Sequence, residues 1–172
     1  MAKSDSFFIR KSLEVDNAGS FVQTEIDLGA YVDALGKSVL RIHNIAVAFT
    51  DDTGNAAQVA AATDSAAAQF QLTTQTQTDT VLPSNKSVVS SGIIYAVNSF
   101  SSDEFPQVYH DMDNLPQLWT NGYLIAVDTI YLGGEGSSGW LAAENLTCSI
   151  TMECTVETLN KEAAMALALS QQ

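Results

Sequence analysis

Basic residues are scarce in this chain. Seven Lys and Arg stand against 20 Asp and Glu, for a formal net charge of −13. Lys3, Arg10, Lys11, Lys37 and Arg41 all fall in the first 41 residues, and only Lys86 and Lys161 follow. Binding along a nucleic acid relies on Lys and Arg to displace counterions from phosphate, so a broad nucleic-acid face is excluded. What remains is a small N-terminal patch of Lys3, Arg10 and Lys11, and charges that guard an edge strand against unwanted pairing account for it. Charge of either sign is thin, at 16% of residues against about 25% in ordinary globular chains. Ser, Thr, Asn and Gln fill the gap, which suits strand faces and subunit contacts.

Other shortages narrow the chemistry. There are two histidines, His43 and His110. A cupin-type metal site takes several at strand spacing, and a Ser-His-Asp triad would have to use one of these two. His43 sits inside a strand-like run and reads as a sheet residue. The two cysteines, Cys148 and Cys154, are six residues apart on one strand. That puts them roughly 20 Å apart, too far for a disulfide or a shared metal, so they read as buried thiols. No run approaches the roughly 18 apolar residues of a membrane span. Met1-Ala2-Lys3-Ser4 leads straight into strand-like sequence, so no signal peptide is expected. Gly133-Gly134-Glu135-Gly136 follows a strand but precedes no Lys-bearing helix, and reads as a flexible loop through 139, not as a phosphate cradle.

What is present is alternation. Residues 144–157 (ENLTCSITMECTVE) place Leu146, Cys148, Ile150, Met152, Cys154 and Val156 on one face and polar residues on the other, the period of a strand covering a core. Residues 6–15 and 20–28 predict two more strands, paired as a hairpin across Asp16-Asn17-Ala18-Gly19. Residues 38–50 predict a long strand whose alternation changes phase near Asn44, the mark of a bulge. Strands follow over 69–76, 87–98 with a kink at Gly92, and 122–132. Residues 29–37 predict a short helix or irregular loop, the Ala-rich stretch 56–68 a weak helix or a small-residue loop, and 99–117 a loop. Residues 159–169 switch to helix formers, with Thr158 or Asn160 as cap and Leu159, Ala163, Ala166 and Leu167 as the apolar face. About eight strands without alternating helices predict an all-β chain. The expectation is an antiparallel two-sheet sandwich closed as a single jelly roll, one domain over 1–172, with residues 1–11 as an arm or first strand and 158–172 as a short C-terminal α-helix and tail.

No catalytic set is visible and no enzyme is expected. The richest chemical cluster is Tyr109-His110-Asp111-Met112-Asp113-Asn114. Asp111, Asp113 and Asn114 are the candidate oxygen ligands for a hard cation such as calcium. They lack the Gly and distal Glu of an EF-hand loop, and an Asp/Asn-rich turn is the commoner explanation. Asp51-Asp52-Thr53-Gly54-Asn55 reads the same way, so no cofactor is expected. Trp119 and Trp140, with Tyr109 and Tyr123, are the candidate stacking residues of a carbohydrate- or receptor-binding module, or else aromatic plugs at the ends of the sandwich. The sequons at Asn85 and Asn145 read as chance matches.

This layout resembles the single jelly-roll structural proteins of non-tailed icosahedral viruses: an N-terminal arm, strands running through 144–157, long loops, a Ser/Thr/Gln-rich surface and no catalytic residues. The resemblance implies a subunit of a virion, assembled in the host cytoplasm, packing with copies of itself and with other virion proteins around symmetry axes. No long basic arm is present to neutralise a genome. The family reading therefore implies no extensive nucleic-acid contact, and either a shell over an internal membrane or an outer decorating protein. The arm at 1–11 and the helix at 159–169 are the expected contact elements.

Overall fold

First strand pairs with last, second with next to last, and so inward. A computed structural model describes residues 4–15, 19–33, 37–59, 65–97, 107–111, 119–140 and 146–172, with 107–111 given by backbone alone. Nine strands lie in these residues: β1 Phe7–Val15, β2 Val22–Asp27, β3 Ser38–Thr50, β4 Ser65–Thr73, β5 Val88–Val97, β6 Gln107–Asp111, β7 Tyr123–Ile125, β8 Thr129–Gly136 and β9 Leu146–Thr158. One helix follows, α1 Lys161–Gln171. The antiparallel pairs β1–β9, β2–β8, β3–β7 and β4–β5 are nested. Further pairing of β9 with β3 and of β8 with β4 completes a four-stranded sheet, β1-β9-β3-β7, and a five-stranded sheet, β2-β8-β4-β5-β6. This nested double sheet is a jelly roll with one added edge strand, β6.

The core lies between the sheets. Leu40, Ile42, Ile45, Cys148, Ile150 and Met152 meet Phe70, Leu72, Ile130 and Leu132 across it, all with essentially no exposure. The register of β3 on β9 slips between Ile42 and Asn44. The extra residue, His43, lets Ile42 and Ile45 both face inward, where unbroken alternation would set Ile45 on the face of Arg41 and His43. The inward set of β9 holds from Leu146 to Cys154 and then changes: Val156 is half-buried and Glu157 is buried. At that end α1 covers the outer face, so both faces of the sheet are shielded there.

Several expectations are corrected. β1 and β2 are not a hairpin: each belongs to a different sheet, because alternation marks a strand without naming its neighbour. The run 122–132 is two strands, since Ala126, Val127 and Asp128 carry the chain from one sheet to the other. Residues 65–68 of the Ala-rich stretch are strand, with Ala66 and Ala68 buried. The stretch 99–117 contains β6, which adds the strand beyond eight. Gly133 to Gly136 belong to β8, not to a flexible loop. Their missing side chains make room: a Cβ on Gly133 would lie 2.5 Å from the Phe21 ring. The α1 face is also different. Ala164, Ala168 and Gln171 are buried and Leu167 half-buried, while Ala163 and Ala166 are exposed.

Candidate assembly and binding surfaces

The acidic cluster lies largely beyond the described residues. Asp111 ends β6, where only backbone is described, and Asp113 and Asn114 lie outside the described residues. The second acidic turn is a self-bonded one. Asp51 Oδ1 accepts from Thr53 N at 2.9 Å, Thr53 Oγ1 at 2.8 Å and Asn55 N at 2.7 Å. Burial alone would raise its pKa, but these hydrogen bonds outweigh it and hold the carboxyl below its ordinary value. Asp51 is thus engaged in shaping its loop. Among the described residues no group of three metal-ligating side chains forms.

The aromatic candidates separate. Trp140 is 1% exposed, and its Nε1 donates to the Ala67 carbonyl at 3.0 Å. It plugs the sandwich and offers no face to a sugar. Trp119 is half-buried against Tyr123, with ring centroids 4.9 Å apart. Tyr109 lies in β6, and its side chain is outside the described set.

Two further polar groups serve the fold. His43 Nε2 is 2.9 Å from Thr155 Oγ1 at the bulge. Arg41 meets Glu157 through two bonds of 2.7 Å and also donates to the Asn121 carbonyl. The hydrogen bonding of Arg41 to the Glu157 carboxylate leads the rise in the Arg41 pKa. This bidentate pair joins β3 to the end of β9. The cysteines are both buried and free, and burial pushes each thiol up to about 12.

The terminal elements are held firmly. Ser4 is bonded to Val156 through its N–H at 3.1 Å and its Oγ at 2.9 Å, so residues 4–11 of the expected arm run along β9. Asn160 caps α1, its Oδ1 accepting from Ala163 N at 2.8 Å. Ala164 and Ala168 pack on Val39 and Ala126. Gln171 fixes the far end: its Oε1 accepts from Ala126 N at 2.9 Å, its Nε2 donates to Leu124 O at 2.7 Å, and its carbonyl accepts from Thr74 Oγ1 at 2.9 Å. The helix buries small residues and leaves large ones outside, with Met165 41% and Leu169 69% exposed. A helix apolar on both faces suits an element covered on both.

A feature not read from the sequence is a groove on the outer face of the five-stranded sheet. The loop after β4 is laid over that face by Gln71, which accepts from Val81 N at 3.0 Å and donates to Val81 O. Thr80 Oγ1 bonds Glu135 at 3.0 Å. Beside this loop are two cavities of about 450 and 390 Å³, sharing Gln69 and Ile93. Tyr95, 42% exposed, stands at the rim. In β5 exposed Tyr95 stands between buried Ile94 and Ala96, whereas the loop that builds the wall follows no alternation.

The fold is that of the single jelly-roll capsid proteins. The chain is similar to Merkel cell polyomavirus VP1 solved in complex with disialyllactose, at 8% identity and a TM-score of 0.51, covering 91% of this chain and 97% of that one. It is also similar to the unassembled pentamer of Merkel cell polyomavirus VP1, at 7% identity and a TM-score of 0.49 over 93% and 98% of the two chains. For apo New Jersey polyomavirus VP1 the values are 6% and 0.48, over 90% and 100%. No protein-family model and no curated protein sequence matches the chain. At these identities the likeness is one of fold.

Proposed function

We propose that the chain is a self-assembling structural subunit, a capsid protein that builds a viral shell through contacts between copies. The observation that carries this reading is the nested jelly roll itself, which takes up nearly the whole chain and matches a VP1 fold over 91% of its length. The mechanism is geometric. A sandwich with a firmly packed core presents edges, termini and loops to its neighbours without deforming. The α1 stripe of Met165 and Leu169 supports a contact there, since large apolar side chains gain from being covered. Particle mass and micrographs test the reading, with closed shells as the expected product.

A second reading has its own support. The groove beside Gln69 and Glu135 combines amides, a carboxylate and the exposed Tyr95 ring, the chemistry that holds a sugar. Glu135 favours a neutral glycan over an anionic one. Retention on immobilised neutral glycans, lost in Tyr95→Ala, is the expected result; equal retention of both proteins would contradict the groove's role.

A further inference from the structure

One narrow side of the sandwich is formed by β1 and β2, the outer strands of their two sheets. Among the described residues β1 pairs only with β9 and β2 only with β8. Each therefore leaves a row of backbone donors and acceptors facing outward, a template for another strand. The two edges lie side by side and run in opposite directions. Residues 16–21 alone connect them, and at the other end the Phe7 ring stacks on Tyr31, just past β2, with centroids 4.7 Å apart.

Their net charges are opposite: β1 carries Arg10 and Lys11 against one acid, Glu14, and β2 carries Glu25 and Asp27 with no base. Near the middle of β1 stand exposed Arg10 and half-buried Lys11, and on β2 stand exposed Glu25 and Asp27. Arg10 belongs to the outer face of the four-stranded sheet, since Ile9 and Leu13 pack on the core. Glu25 and Asp27 belong to the outer face of the five-stranded sheet, with Val22 and Ile26 inward. Phe8, 55% exposed, lies beneath the Arg10 guanidinium at 5.5 Å. An exposed aromatic ring on an edge strand with one side open is covered when another strand arrives.

We propose that two copies of this chain join edge to edge about a twofold axis parallel to the strands, with β1 of each beside β2 of the other. This deepens the self-assembly reading and rests on it. Two twofold arrangements can bring these sides together. An axis crossing the strands sets β1 on β1 and β2 on β2, so that Arg10 and Lys11 meet their own copies and Glu25 and Asp27 meet theirs. Like charges on neighbouring strands are destabilising. An axis along the strands exchanges the edges instead. Arg10 of one copy then stands beside Glu25 and Asp27 of the other on a shared outer face, and the same contact repeats at the symmetric position. Because β1 and β2 are antiparallel within each copy, the new neighbours are antiparallel too. The four-stranded sheet of one copy then continues into the five-stranded sheet of the other, on both layers at once.

The test compares the wild-type chain with Arg10→Glu/Lys11→Glu and with Glu25→Lys/Asp27→Lys, each checked for its fold by circular dichroism. Sedimentation velocity at about 50 mM salt, where exposed charges are little screened, reads association. Each double variant is expected to associate about tenfold more weakly. An equimolar mixture of the two is expected to recover, because both contacts of the mixed pair again join opposite charges. A second measurement covers variants that fail to fold: Arg10→Cys mixed with Asp27→Cys should form a disulfide-linked pair, and Arg10→Cys alone should not. Folded double variants that associate like wild type, or a mixture that does not recover, would overturn the edge pairing and leave self-assembly standing. A wild-type chain that stays monomeric throughout would remove both.

Discussion

At the scale of single residues, burial decides the chemistry available. Cys148 and Cys154 face the core from β9, and burial raises both thiols to about 12. The folded state therefore favours the protonated thiol. Below the ordinary thiol range this contribution to stability is fully present. As pH rises through the unfolded pKa towards the folded one it is lost, because only the unfolded chain releases the protons. The melting temperature is expected to fall between about pH 8 and 11, and to fall less in Cys148→Ala/Cys154→Ala. Matching pH slopes for the two proteins would contradict the burial argument. In the native protein neither thiol should react with an aromatic disulfide reagent at about pH 8. The sequence already showed this pair as core thiols, since both belong to one alternating face. Trp140 was less legible. Its position gave an aromatic near a strand border, and only the fold shows its ring inside and its Nε1 on Ala67.

At the scale of elements, α1 depends on one side chain at its end. Gln171 satisfies the Ala126 N–H and the Leu124 carbonyl together. Gln171→Ala leaves a buried donor without its partner, at a cost of about 1–3 kcal/mol. Denaturant unfolding is expected to show that loss, and hydrogen exchange to show the α1 amides losing protection first. Unchanged protection would mean that the alanine packing alone holds the helix. Strands with strict alternation, such as β9, were readable from sequence because one face meets the core and the other does not. So was the bulge in β3, from the change of phase near Asn44. The α1 face was not readable: apolar residues occupy every position from 163 to 169, and it is the hydrogen bonds of Gln171 that set the rotation. Gly133 to Gly136 misled for a related reason. Glycine marks both loops and close packing, and the Phe21 ring that explains Gly133 sits more than a hundred residues away in sequence. β6 lies in a stretch whose prolines and acids read as loop.

At the scale of the whole molecule, the all-β sandwich follows from strand count and from the absence of alternating helices, whereas the nesting of the strands needs the structure. The nested order leaves two open edges on one side and a helix with a bare apolar stripe, features that a lone monomer gains little from and an assembly covers. The groove on the five-stranded sheet was invisible in sequence because the loop after β4 is placed by Gln71 and Thr80, residues that follow no periodic pattern. We propose that these features serve association of the sandwich with copies of itself. Particle mass by light scattering over a salt and concentration series, with micrographs of the same samples, tests it most directly. Closed shells of many copies of the 18.3 kDa chain are expected. Filaments would keep a structural role and remove the shell; an 18.3 kDa monomer under every condition would contradict the claim outright.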